Sequence, residues 1–232
     1  MDQSHVSLVT MQLRQQAFEM YRCDRAVSLG INLPNLAKIL KCAGNEDSVK
    51  ITANDEGADT AEFIFESAGG DRISQFELKL MDIDADHLGV PEDDRYSAVI
   101  RMPTGEYRRI FSDLATIGDM VEIDVSKQSA TFSVEGTIGK GSLTIQQSDA
   151  ADEDDNAVTI TVEEPTKMTF PGSYLTSFAK AVPMSSKVVM GLHPDMPLAV
   201  EFTLPNEDGY VRYFVAPTME EEEEEGGDEN EG

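Results

Sequence analysis

Hydrophobic residues recur at spacings of three and four in three short stretches. Leu36, Ile39, Leu40 and Ala43 run up to Gly44. Tyr107, Ile110, Phe111, Leu114 and Ile117 run up to Gly118. Tyr174, Leu175 and Phe178 precede Pro183. Such spacing gives a helix one apolar face, and Gly or Pro just past the last apolar residue is a stop. Three strand-like runs follow each helix: 48–54, 60–66 and 72–80; 120–126, 130–135 and 142–147; 187–192, 198–204 and 210–216. Val121/Ile123/Val125, Phe132/Val134 and Phe76/Leu78/Leu80 alternate with their neighbours. That period of two predicts antiparallel sheets with one face on a core. Turn signals at 55–57, 69–71, 139–141 and 206–209 separate the runs.

One further strand is predicted before each helix, at 21–33, 95–102 and, in two parts, 157–170. Leu33-Pro34, Met102-Pro103 and Phe170-Pro171 mark the same point in each, 69 and 68 residues apart. The repeating unit is therefore strand, helix, three strands. Residues 5–15 match the last strand of an earlier unit, the rest of which, about 40 residues by the repeat length, has no counterpart in this sequence. The fold class is α+β. The units pair into a first domain over 1–80, incomplete on this reading, and a second over 96–219, with a connector at 81–95 and a tail at 220–232.

The connector is acidic yet keeps Met81, Ile83, Leu88 and Val90. Two readings stay open: a crossover loop packed on its own domains, or a surface loop that helps form an apolar groove for partner proteins. Asp82, Asp84 and Asp86 have the spacing of a calcium loop, but His87 stands where that loop needs Gly, so no metal is expected.

Composition changes the picture through charge. The formal net charge is −26, from 44 acids and 18 bases. Nine of those acids follow Met219, a composition that predicts a disordered tail. The remaining 35 acids still outnumber the bases, so where the bases lie matters more than their total. Lys38 and Lys41, Arg108 and Arg109, and Lys180 fall on the three helical patterns, against only Glu106 and Asp113. If the helices share one side of the sheets, that side is basic and would meet phosphates without reading bases. Ordinary solvated helix faces are the other reading.

Other chemistry is thinly represented. Cys23 and Cys42 suit neither a zinc site nor a redox pair, and three scattered histidines offer no catalytic cluster. There is no phosphate loop, dinucleotide fingerprint or hydrolase elbow, so no enzyme activity or cofactor is expected. No apolar run approaches the roughly 20 residues of a membrane span.

Four stretches carry a specific resemblance. They are Tyr21-Arg22-Cys23-Asp24-Arg25, Lys38-Ile39-Leu40-Lys41-Cys42-Ala43-Gly44-Asn45-Glu46-Asp47, Leu80-Met81-Asp82 with Leu88-Gly89-Val90-Pro91, and Val215-Ala216-Pro217 before the acidic tail. In order and over essentially the whole chain, they resemble the proliferating cell nuclear antigen family of eukaryotic sliding clamps. The resemblance implies a homotrimeric ring of six similar domains, with helices lining a hole around duplex DNA and sheets outside. It implies a nuclear processivity factor without catalysis of its own, serving replication, repair and translesion synthesis. Partners implied are the replicative DNA polymerase, the clamp loader replication factor C, flap endonuclease, DNA ligase and other PIP-box proteins. A clamp-fold interaction module that does not close a ring is the alternative.

Residue by residue, Lys38, Lys41, Arg109 and Lys180 match DNA-facing positions of the family, with Arg108 an added base. Ser112, Ser173 and Thr116 stand where the family has basic residues or a histidine. The partner groove matches Met1, His5, Val6, Leu8, Leu88, Val90, Pro91, Pro197, Phe214, Ala216, Pro217 and Met219. Lys127 matches a lysine that carries ubiquitin or SUMO in the family. Subunit contacts would join 72–80 of one copy to 139–147 of the next, with Phe76, Leu78, Leu143 and Ile145 as apolar candidates. The resemblance begins at a residue internal to the family, so the family's first strand, its first helix and the following strand are expected to be missing and the first domain incompletely folded.

Overall fold

The computed structural model describes residues 4, 6–53, 59–82, 95–148 and 157–218. Met1, His5, the connector residues from Ile83 through Leu88, Val90 and Pro91 to Asp94, and everything from Met219 onward lie outside the described residues. Two compact units divide the chain: Met20–Gly89, and Met1–Glu19 together with Val90–Gly232.

In the smaller unit, three antiparallel strands, β2 (Ser48–Ala53), β3 (Thr60–Glu66) and β4 (Ile73–Lys79), pair in that order. Helix α1 (Leu33–Leu40) begins at Asn32, whose side chain accepts from Asn35 N at 3.0 Å, with Pro34 in the first turn. Ala61, Phe63, Phe65 and Leu78 form the core, and Leu36, Ile39 and Ala43 pack on it from the helix side. Leu40, assigned to that face by its spacing, is instead exposed. The carboxylate of Asp47 accepts from Gly44 N and from Arg72 Nη2, both at 2.8 Å, and so ties the end of the helical segment to the β3–β4 hairpin.

No strand forms at 21–33, where the sequence predicted one. A strand needs a partner ladder, and no described strand pairs with the outer edge of β2. Tyr21 and Val27 are exposed in consequence.

In the larger unit, β5 (Ala98–Pro103) leads into α2 (Thr104–Leu114), then β6 (Met120–Val125), β7 (Ser129–Gly136) and β8 (Gly139–Gln146). Strands β9 (Thr159–Val162) and β10 (Thr166–Pro171) precede α3 (Gly172–Phe178) and a 3-10 turn at Ala179–Met184. β11 (Lys187–Leu192), β12 (Leu198–Thr203) and β13 (Gly209–Val215) complete it. The expected two-part strand at 157–170 is β9 plus β10. The turn expected at 139–141 falls earlier, at Thr137-Ile138, because Gly136 pairs with Gly139 and the strand starts there.

One sheet has the order β10-β6-β7-β8 and the other β1-β13-β12-β11-β5-β9, where β1 is Ser7–Leu13. Residues 7–13, grouped by sequence with the first domain, are thus hydrogen-bonded antiparallel to β13, from Ser7 opposite Val215 to Leu13 opposite Gly209. Gly209 permits this approach: a Cβ there would sit 1.9 Å from the Gln12 carbonyl oxygen. Between the sheets and the helices lies an aromatic core. The Tyr107 ring sits 4.6 Å from Phe111 and edge-on to Phe202, and Phe111 is edge-on to Phe132.

Candidate functional site

Helix α2 buries Tyr107, Ile110, Phe111 and Leu114 on one face. By the helical period this leaves Arg108 and Arg109 exposed, with Ser112 one turn beyond Arg108. Arg109 reaches Asp113 at 3.9 Å, both well exposed, a pair worth at most a few tenths of a kcal/mol. α3 buries Leu175 and Phe178 and lies beside α2: the buried Tyr107 phenol donates to the Leu175 carbonyl at 2.9 Å, and Thr176 Oγ1 donates to the Phe111 carbonyl. Burial raises the Tyr107 phenol well above the ordinary tyrosine value, so it stays a neutral donor. Lys180 is exposed on the 3-10 turn rather than on α3 itself, because α3 ends at Phe178. Arg108, Arg109 and Lys180 therefore belong to one helical layer.

Lys38 and Lys41 lie in the smaller unit. Lys38 is exposed on α1 and Lys41 caps its C-terminus, where a cation meets the negative end of the helix dipole. No acid occurs between Leu33 and Lys41.

The apolar candidates converge at the other side of the large sheet. Val211 and Val215 are buried and Tyr213 half-buried on the core-facing side of β13, Tyr213 stacking on Phe178 with ring centres 4.4 Å apart. Phe214 points the opposite way. It lies between Leu8 on β1 and Ala199 on β12, an apolar row across three strands, and is only 2% exposed. Ala216 N donates to the Val6 carbonyl at 2.9 Å, which brings the end of β13 to the start of β1. Pro197 precedes Leu198, the partner of Val215, and so reaches the same end. Val6 is half-buried and packs on the core, while Ala216 and Pro217 are half-buried.

The next row along these strands is polar: Thr10, Arg212 and Glu201. Arg212 Nε donates to Glu201 at 2.7 Å and the guanidinium lies 5.0 Å from the centre of the Tyr210 ring. The apolar row therefore ends abruptly. Ala199 is a member the sequence reading missed, although the alternation in 198–204 carried the signal. His5, Leu88, Val90, Pro91 and Met219 lie outside the described residues.

β4 and β8 are both terminal strands of their sheets. Their apolar candidates face inward: Leu78 is 5% exposed in its own core, Phe76 packs beside it, and Leu143 and Ile145 are half-buried against the larger core. What β4 and β8 offer a neighbour is chiefly backbone. Lys127 sits in the exposed turn between β6 and β7, where Ser126 N donates to the Ser129 carbonyl at 2.9 Å.

Residues 1–88 match the family model described as proliferating cell nuclear antigen, N-terminal domain. Residues 89–218 match the model described as proliferating cell nuclear antigen, C-terminal domain.

Proposed function

The chain belongs to the proliferating cell nuclear antigen family, and from that premise we propose that it is a DNA sliding clamp and polymerase processivity factor. Three copies close a ring around duplex DNA in the nucleus and recruit replication and repair proteins. The family is one of non-enzymatic clamps, and its members act on DNA.

The observation that carries this reading is the segregation of charge. In a chain of net charge −26, the exposed sides of the helices present Lys38, Lys41, Arg108, Arg109 and Lys180. Exposed cations on rigid elements, none of them specific for bases, suit non-specific contact with a phosphate backbone that slides. The acids elsewhere keep DNA off the other surfaces.

The sheet edges support a ring. The β1–β13 ladder joins two strands of very different sequence position through backbone pairing, and β4 and β8 each offer an unpaired edge among the described strands. Joining β4 of one copy to β8 of the next makes a head-to-tail contact that removes both edges, the kind of contact from which rings are built. The apolar row of Leu8, Phe214 and Ala199, with Pro197, Ala216 and Pro217 at its end, receives the aromatic and aliphatic anchors of partner peptides. Lys127, exposed on its turn, is a site for a covalent modifier.

Sedimentation equilibrium of the chain tests the ring: a trimer is expected, and a stable monomer that still binds partner peptide makes this an interaction module instead.

A further inference from the structure

The two repeats of the larger unit complete each other. β10 covers the outer edge of β6, and β5 covers the corresponding edge of β11. Each covering strand runs straight into a helix, β5 into α2 and β10 into α3, and each covers the three-strand set that follows the other strand's helix. The register is the same in both. The residue that caps the helix, Pro171 or Pro103, stands opposite the first residue of the covered strand, Met120 or Lys187. The inward residues then pair, Phe170 with Val121 and Met168 with Ile123, Met102 with Val188 and Ile100 with Met190, and all are buried.

The smaller unit holds one such repeat, and both halves of the exchange are open in it. β2 corresponds to β6 and β11, but no described strand lies on its outer edge. Val49 and Ile51 stand opposite Phe65 and Phe63 and so share the core face with them. They are nonetheless 48% and 56% exposed. The stretch before α1 has the pattern of a covering strand. Counted back from the cap residue Asn32, Ile31, Leu29 and Val27 fall at the positions of Phe170, Met168 and Thr166. Ile31 packs on the small core as Phe170 does on the large one. Met81 N donates to the Gly30 carbonyl at 3.0 Å, but Thr218 N donates at 2.8 Å to Thr169, the equivalent residue, and β10 pairs with β6 all the same. Helix α1 shows a matching gap. Its Leu40 holds the place of Phe111, which is buried where α3 lies beside α2, yet Leu40 is exposed.

We infer that the smaller units of two copies pair about a two-fold axis, each laying its residues 27–32 along the other's β2. Ile31 then faces Val49 and Leu29 faces Ile51, and the two α1 helices lie side by side at Leu40. In the larger unit neither covering strand serves the set after its own helix. By that rule 27–32 does not serve its own β2, and a second copy supplies both missing halves at once. The contact is isologous. It uses β2 and leaves β4 free, so it is distinct from a head-to-tail contact of β4 with β8.

The test uses the full chain carrying Cys23→Ser and Cys42→Ser, in two versions, one with Ser28→Cys and one with Thr52→Cys. The shared register puts residue 28 opposite residue 52, close enough for a disulfide. Mild oxidation of the mixture is expected to link the two versions, a bond that only two copies can form. Neither version alone is expected to link to itself. Adding Ile51→Lys, at an exposed position, to the Thr52→Cys version should remove the cross-link without altering the far-ultraviolet circular dichroism, because the lysine would be set against Leu29. Absence of the mixed disulfide overturns the inference. So does self-linkage of the Thr52→Cys version, which would make this an edge-to-edge contact of two β2 strands. A mixed disulfide that survives Ile51→Lys overturns it as well, by marking the bond as a collision product of exposed thiols.

Discussion

Leu8 lies opposite Phe214 across the β1–β13 ladder, joining residues from the two ends of the described chain in one apolar row. Because Leu8 is half-buried and Phe214 almost wholly so, the two are not equivalent as probes. Leu8→Ser is expected to weaken binding of a PIP-box peptide by roughly tenfold, with little change in melting temperature. Isothermal titration calorimetry reads this directly, and an unaltered affinity removes Leu8 from the groove. Phe214→Ala confounds binding with stability, since emptying a buried phenylalanine site costs about 3–5 kcal/mol.

Gly209 holds the other end of the same ladder. A Cβ at this position would collide with the Gln12 carbonyl, so Gly209→Ala should free the far end of β1 at a cost of about 1–3 kcal/mol. Limited proteolysis is the measurement: new cleavage is expected within Ser7–Leu13, and an unchanged digestion pattern would show that β1 tolerates the intrusion.

The basic helices make a prediction about work on DNA. Lys41→Glu with Lys180→Glu should shorten the products of a clamp-dependent polymerase in a single-encounter primer-extension assay. The gap to the unaltered chain should narrow as salt rises, because fewer phosphate contacts leave a shallower salt dependence. Wild-type product lengths would contradict a DNA-facing role.

Tyr107 links stability to pH. Its folded-state value is raised by burial and, secondarily, by Tyr213, which burial also raises. The sign follows: a phenol that ionises more readily in the unfolded chain contributes stability that is intact below the ordinary tyrosine value of 10.0 and is lost as pH climbs past it. Tyr107→Phe should therefore flatten the alkaline decline measured by urea unfolding. At neutral pH the same change costs about 1–3 kcal/mol, since it leaves the Leu175 carbonyl without its buried donor.

Much of this fold was written in local patterns. The periods of three and four placed α1 and α2, and the alternation of Val121, Ile123 and Val125 placed β6 with its inner face correct. What local pattern could not supply was partnership. The stretch 21–33 reads as a strand, yet among the described residues it finds no ladder. Residues 7–13 read as a strand whose neighbours no period could specify, and β13 is about two hundred residues away in sequence. The same limit applies to the site. The exposure of Arg108, Arg109 and Lys38 follows from helical spacing, whereas the row of Leu8, Phe214 and Ala199 exists only once three distant strands are in register. Lys180 shows an intermediate case: the element was legible but its change to a 3-10 turn was not.

The β1–β13 ladder also has a consequence in time. A ribosome adds roughly 5–20 residues per second, so β1 emerges tens of seconds before the strand it pairs with. Through that interval the alternating Val9, Met11 and Leu13, still 47%, 56% and 43% exposed in the finished fold, present an open apolar edge. The smaller unit, Met20–Gly89, is made and can condense meanwhile. Synthesis thus leaves the first strand as the last to be sheltered, and chaperone capture during translation should concentrate on it.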